Sequence, residues 1–327
     1  AISDGKSKAI VCMGGNLPVA MSDPQLCFEA MRKLDLAVHI ATKLNRSHLL
    51  LAKTSIILPC LGRTELDEQE TGPQSVTVED SMSVVHASAG RLKPASDDLK
   101  SEPAIVAGIA KAVLPNTKVN WDGFVADYNT IRDAIEKVFP AFADFNERVR
   151  APGGFRLYIA ASERKWLTPN GKANFIVFNG LDCDMRAGEA EALMLATIRS
   201  HDQYNTTIYG FNDRYRGITG RRDVIFMHPE DLKARGLSHG DLVDVEAIAE
   251  ADDAGRPRVL HNLTAVEFEI ARNSAAAYYP EANPLVALQN YDARSGTPAY
   301  KSIPVRVRAA ATPKAEAARE LADAVPA

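Results

Sequence analysis

The segment Arg199-Ser200-His201-Asp202-Gln203-Tyr204-Asn205-Thr206-Thr207-Ile208-Tyr209-Gly210 concentrates side chains that can grip a ligand, and it follows directly on the apolar run 193–198. A strand therefore empties into a polar floor. Arg199 brings a planar, permanently charged fork, while His201, Gln203, Asn205 and Thr206 bring donors and acceptors. Tyr204 and Tyr209 add flat apolar faces. Such a set suits heterocycle edges, ribose hydroxyls and phosphates. A solvated loop would use the Asn and Thr for turns but has no need of two large rings. His201 has no ligand partner at metal-binding spacing and reads as a hydrogen-bonding residue. A hydrolase built on Ser200, His201 or Asp202 would lack the G-x-S-x-G elbow.

A second polar group lies near the start. The apolar run 8–13 ends in Gly14-Gly15-Asn16, and the run 36–40 ends in Thr42-Lys43-Leu44-Asn45-Arg46. Paired glycines let backbone approach a ligand closely. Lys43, Asn45 and Arg46 can meet phosphate or ribose oxygens. Gly14-Gly15 is not a GxGxxG fingerprint, which disfavours an ordinary NAD site.

These groups must be held by regular elements. Strands at 8–13, 36–40 and 55–59 alternate with helical patterns at 24–34, capped by Ser22-Asp23-Pro24, and at 47–52. That alternation argues for a parallel, doubly wound α/β sheet, whose ligands lie at the carboxyl ends of the strands. A helix over 102–113 closes this part. The stretch 64–82 crowds acidic residues from Glu65 to Glu70 and reads as a solvated loop. Ile131, Ile135 and Val138 fall at helical spacing in a connector that ends at Ala151-Pro152-Gly153-Gly154. Pro169-Asn170-Gly171 predicts a hairpin turn with a strand on each side. Short strands at 193–198, 224–227, 242–248, 258–270 and 303–308 point to a small closed β-barrel, with a short helix from 228 stopped by Gly236.

The 327 residues allow roughly two domains. The net charge of -4 gives no basic footprint for nucleic acid, although Arg214-Tyr215-Arg216 with Arg221-Arg222 could attract a small polyanion. No apolar run is long enough to cross a bilayer, and no signal peptide pattern opens the chain. The scattered Cys12, Cys27, Cys60 and Cys183 form no CxxC; Cys12 and Cys27 read as core residues, and the cytoplasm is the expected compartment.

Four segments in order carry a resemblance: 199–210; Val224-Ile225-Phe226-Met227-His228-Pro229-Glu230-Asp231-Leu232 leading to Gly236-Leu237-Ser238-His239-Gly240-Asp241-Leu242-Val243; Ala277-Tyr278-Tyr279-Pro280-Glu281-Ala282-Asn283-Pro284-Leu285; and Ser295-Gly296-Thr297-Pro298-Ala299-Tyr300-Lys301-Ser302. Together they resemble the C-terminal cofactor-binding domain of the molybdopterin oxidoreductases, in the formate-dehydrogenase-like branch, and the first half is similar to the same family. The resemblance implies a Rossmann-like domain at 1–115, the helical connector at 116–154, a double-psi β-barrel at 155–308 and a tail at 309–327. It implies a bis-molybdopterin guanine dinucleotide carrying molybdenum or tungsten, one copy held mainly by each domain. Gly14, Gly15, Asn16, Lys43, Asn45 and Arg46 would serve one copy. Arg199, His201, Gln203, Tyr204, Asn205, Thr206, Asn283, Tyr300 and Lys301 would serve the other. From the residues alone, Asn283 reads equally as a turn residue before Pro284, and Lys301 as an exposed strand-end charge.

In that family the metal-ligating Cys, selenocysteine or Ser, and the iron–sulfur cysteines, sit in the N-terminal half. Neither pattern is present in this sequence. The expectation is a C-terminal portion of a catalytic subunit that grips the cofactor, carries no catalytic residue itself and works with its own N-terminal half, a small substrate such as formate and an electron-transfer partner. No nucleic-acid or membrane partner is expected. A reading of another class, a non-catalytic nucleotide-binding or scaffold module, predicts nucleotide binding without molybdenum.

Overall fold

Strand Leu36–Ala41 pairs in parallel with Ala9–Met13 on one side and with Thr54–Pro59 on the other. The computed structural model that shows this describes residues 1–177, 189–251, 255 and 257–311. The central strand is covered on both faces, as parallel sheets require. Helix Pro24–Arg32 packs Met31 with Leu34 and Leu50 against Ile10. Helix Glu102–Val113 packs Ile105 against Val38, Ile40 and Cys60. Ile10 is paired with Ala37, the neighbour of Val38, so the two helices lie on opposite faces. All three strands end at one edge, where Gly14, the 42–46 turn and Cys60 follow.

The cap read at Ser22-Asp23-Pro24 forms: Asp23 accepts the Leu26 N–H at 3.3 Å, with Pro24 in the first turn. The helix expected over 47–52 is shorter, a 3-10 turn at Arg46–Leu49. Asn45 Oδ1 accepts the Ser47 N–H, and His48 Nδ1 accepts the Asn45 N–H at 2.8 Å. These side-chain bonds satisfy the backbone locally and leave no need for further helix.

The connector holds helices Trp121–Ala126, Tyr128–Val138 and Phe145–Arg150. They do not stand alone. Phe145 and Val149 pack on Val85 and Phe155, which belong to an antiparallel sheet of Val76–Glu79, Val84–Ser88 and Phe155–Arg156. Residues 155–156 thus pair with the first half rather than with the barrel. The acidic stretch is built into this region. Glu65 accepts the N–H groups of Gly62 and Ala95, and those bonds hold its carboxyl below the usual range. Asp67 accepts the Tyr128 hydroxyl at 2.6 Å.

Six strands close a barrel in the cyclic order Val224–Met227, Pro257–Glu267, Leu242–Ala251, Ile303–Ala309, Leu193–Ile198, Ser274–Tyr278. Leu193, Leu195, Ile225, Met227, Val243, Val245, Val305 and Val307 alternate into one core. Strand Ser274–Tyr278 is an addition to the sequence reading. Its Ser-Ala-Ala-Ala-Tyr composition carries no β signal, and it is a strand because it pairs with both Leu193–Ile198 and Val224–Met227. The helix Pro229–Ala234 is followed by Gly236 at φ +65°, the left-handed stop expected there. The Pro169-Asn170-Gly171 turn forms, with the Gly171 N–H on Thr168 O at 3.0 Å, but no strand flanks it among the described residues. Thr168 and Asn170 side chains bond the Lys172 backbone in place of a ladder. The tail beyond 311 and Cys183 lie outside the described residues. Among those described, Cys12, Cys27 and Cys60 are free thiols, and burial followed by the Asp23 charge pushes the Cys27 thiol up to about 11. No helix among the described residues is long and apolar enough to cross a membrane.

Candidate functional site

The first polar group assembles at the carboxyl edge of the parallel sheet. Gly14 and Gly15 both have positive φ, +65° and +68°, and the Gly14 N–H is tied to Ile40 O at 2.8 Å. A side chain at Gly15 would meet nothing within 4 Å, so this backbone turn faces open space. Asn45 Nδ2 donates to Gly15 O at 2.8 Å, and the Ser47 hydroxyl donates to Asn16 Oδ1 at 2.6 Å. The two strand-end turns are thereby locked to each other. Lys43 and Arg46 project from this frame exposed. Neither makes an ion pair or a side-chain hydrogen bond with a described residue.

The second group hangs from the barrel. Gln203–Tyr204 pairs with Thr207–Ile208 as a two-stranded ribbon, turned at Asn205 with φ +51°. Tyr204 stands 68% exposed at its tip, with Tyr209, Phe211 and Tyr215 also exposed nearby in sequence. Arg199 donates to Asn205 Oδ1 at 2.7 Å. His201 stacks edge-on to Tyr215 at 4.5 Å and lies 3.2 Å from Asp202. Thr206 is half-buried beside Asn205 in the turn. Lys301 donates to Thr197 O at the end of the neighbouring strand. Burial, and then the Arg199 charge, push the Lys301 pKa down. Arg199 and Lys301 thus face one another's fields, and neither has a carboxylate partner among the described residues.

Three expected contacts are turned inward. Gln203 Nε2 donates to Tyr279 O and Asn205 O, and its Oε1 accepts from Ser200 and Arg222. Asn283 is 0% exposed, and its Nδ2 reaches the carbonyls of Val19, Ala20 and Met21 at 2.9, 3.3 and 3.1 Å. Its Oδ1 has no partner among the described residues. The Tyr300 hydroxyl donates to Ala20 O at 2.9 Å, and Tyr279 reaches the same oxygen at 3.2 Å. Barrel residues therefore clasp the end of the short helix Leu17–Ala20, whose other end begins at Asn16. A buried ion pair adds to this seam: Arg258 Nη2 lies 2.8 Å from Asp23 Oδ2.

The residue that organises the second group, read from sequence only as part of a basic cluster, is Arg222. Its side chain is buried, grips Glu281 through Nε at 2.6 Å and Nη2 at 2.9 Å, and also bonds Ser200 Oγ and Tyr279 O. It lies over the Tyr278 ring at 4.6 Å. One guanidinium thus ties the 200–203 ribbon to the 278–281 corner. Three of the four arginines in the basic cluster read from sequence are thus paired with carboxylates. Arg222 is neutralised by Glu281, Arg216 by Asp213 at 2.6 Å and Arg221 by Asp223 at 2.9 Å. The only sequence hint was the doubling Arg221-Arg222; the paired Glu281 lies 59 residues away.

The arrangement offers open backbone, cations without a carboxylate partner among the described residues, and exposed rings, which suits an extended anion carrying flat heterocycles. Residues 193–304 match the molydopterin dinucleotide binding domain. The Escherichia coli (strain K12) protein YdeP is 52% identical over 307 residues, covering 94% of this chain and 40% of its own. An uncharacterized oxidoreductase of Mycobacterium tuberculosis is 44% identical over 310 residues, covering 94% of this chain and 39% of its own. This chain therefore spans about two fifths of the length of the relatives it matches. Acetylene hydratase from Pelobacter acetylenicus shares the fold with a TM-score of 0.54 at 16% identity, over 94% of this chain and 45% of that one. Residues 193–304 thus carry the molydopterin dinucleotide binding domain, and with the oxidoreductase relatives this supports a C-terminal part of a molybdopterin oxidoreductase.

Proposed function

We propose that this chain is the cofactor-gripping portion of a molybdenum or tungsten oxidoreductase resembling formate dehydrogenase. In it the two polar groups hold the two halves of a bis-molybdopterin guanine dinucleotide. The observation that carries the reading is the pairing of two cation groups without carboxylate partners among the described residues, Lys43 with Arg46 and Arg199 with Lys301. They sit at the sheet edge and at the barrel strand ends, joined through helix Leu17–Ala20. A pyrophosphate at each would neutralise charge that the described residues leave uncompensated. Tyr204 offers an exposed face for a ring.

The bound group supplies two-electron redox chemistry; the residues here supply position and electrostatics. Lys43 and Arg46 bind phosphate from the open Gly14-Gly15 turn, with Asn45 and Asn16 fixing that turn. Arg199, Lys301 and Tyr204 bind the second copy, with His201 and Thr206 beside them. Gln203, Asn283 and Tyr300 act as positioning residues, since their polar groups are committed inside the protein. We read the six-stranded barrel as double-psi and the parallel sheet as Rossmann-like. The other part of the same subunit, a small substrate such as formate and an electron-transfer partner complete the enzyme, with the cytoplasm as its place of work.

Elemental analysis of the purified full-length protein tests this. Molybdenum or tungsten together with guanine released on denaturation is the expected result. Absence of both metals and of guanine overturns it. Formate-dependent reduction of an artificial dye separately tests the substrate.

A further inference from the structure

A cavity of about 340 Å³ lies away from both cation groups, between the 71–75 turn, strand Val84–Ser88 and the helices Tyr128–Val138 and Phe145–Arg150. Its lining is polar and includes Asp127, Asn129, Arg132 and Arg150. Arg132 is only 7% exposed, and its guanidinium is held by three neutral oxygens. Nε donates to Asn146 Oδ1 at 2.6 Å, Nη1 to Ser75 O at 2.9 Å and Nη2 to Asn129 Oδ1 at 2.7 Å. Arg150 Nη2 donates to that same Asn129 oxygen at 2.8 Å. Two positive forks therefore converge on one amide oxygen.

Neither arginine makes an ion pair with a described carboxylate. Asp127 and Asp133 are each set one amide further back. Asp127 Oδ1 accepts from Asn129 Nδ2 at 2.7 Å, and Asp133 Oδ1 accepts from Asn146 Nδ2 at 2.5 Å. Burial and then the Arg150 charge push the Arg132 pKa down, with Asp127 and Asp133 opposing at longer range. A buried charge that shares a neutral acceptor with a like charge is costly unless a negative group joins them. Arg150 is exposed at the mouth, so part of its fork remains available from outside.

We propose that this cavity binds a small oxyanion, the carboxylate or phosphate group of a small metabolite, between the guanidinium groups of Arg132 and Arg150. The volume is at the lower end for small-molecule sites, which fits a compact ligand rather than a nucleotide. The site is independent of the cofactor reading, because none of its residues belongs to either cation group.

The test is calorimetric titration of the full-length protein with sodium phosphate and, separately, sodium acetate, at ionic strength held constant with chloride. Saturable binding of one or both anions is expected, and which one binds assigns the class. Arg132→Gln removes a buried charge and endangers the fold, so the exposed Arg150→Gln carries the comparison. It should keep the wild-type thermal midpoint in chloride and weaken the anion at least about tenfold. No binding of either anion, or equal binding by Arg150→Gln, overturns the proposal.

Discussion

Arg258 on the barrel and Asp23 at the cap of helix Pro24–Arg32 form an ion pair of 2.8 Å whose side chains are 5% and 9% exposed. It is a buried charge pair between residues 235 apart in sequence. Removing one member strands the other in a low-dielectric seam, a change that costs about 3–5 kcal/mol in comparable pairs. Arg258→Met should therefore unfold the protein at markedly lower urea. Arg258→Met with Asp23→Asn should recover part of the loss, because no lone charge remains. A double variant as unstable as the sum of the singles would show that the pair is not coupled.

Asn283→Ala deletes an amide that reaches three backbone carbonyls in the first half. Leaving those carbonyls without it should cost about 1–3 kcal/mol. The loss should appear in chemical denaturation of apoprotein, before any cofactor is considered. Unchanged apoprotein stability, with cofactor retention alone impaired, would instead make Asn283 a ligand contact.

Lys43→Ala with Arg46→Ala should behave in the opposite way. Both residues are exposed and unpaired with described residues, so apoprotein stability should move by no more than about 0.5 kcal/mol. Retention of guanine nucleotide in the purified full-length protein should fall, and fall further at high salt. Lys301→Ala should do the same at the barrel. Guanine content equal to wild type in both variants would remove these residues from the site.

Arg222→Gln should loosen the 200–203 ribbon from the 278–281 corner, since it breaks the two-point contact with Glu281 and the bonds to Ser200 and Tyr279. Glu281 is 33% exposed and can rehydrate, so the cost should be about 1–3 kcal/mol rather than that of a fully buried pair. Amide hydrogen exchange gives the check: protection should drop across both segments together. A drop in only one would mean that Arg222 does not join them.

Asp213 is 1% exposed. Burial alone would raise its pKa, but the hydrogen bond from Arg216, the hydroxyl of Tyr278 and the Arg216 charge outweigh it and hold the carboxyl below its ordinary 3.8. A carboxyl depressed in the folded state contributes stability that is present above the unfolded value and lost as pH falls through the folded one. The loss should therefore begin near pH 4 and deepen below it. Asp213→Asn should lower the thermal midpoint at pH 7 and flatten its decline in that acid window. An identical acid slope in the variant would count against the assignment.

The regular frame was legible where local chemistry decides it. Glu102–Val113 is the helix its Pro and apolar spacing announce, and Leu193–Ile198 and Val224–Met227 fall at the expected residues. Strand Ser274–Tyr278 was not, because three alanines say nothing about the partners that make them a strand. The site divides the same way. Lys43, Arg46 and Tyr204 could be read from type alone, since exposure follows from charge and a turn context. The inward commitments of Gln203 and Asn283 depend on carbonyls 76 and 264 residues distant, which no local pattern encodes. Arg222 was legible only as a charge until Glu281 was seen against it.

Helix Leu17–Ala20 is a single turn of about 6 Å at 1.5 Å per residue. Its first residue follows the Asn16 that braces the sheet-edge loop, and its last carbonyl takes the hydroxyls of Tyr279 and Tyr300. So short a strut has no interior slack. A nudge that lifts Asn16 must tug at the tyrosines, so the two polar groups shift together.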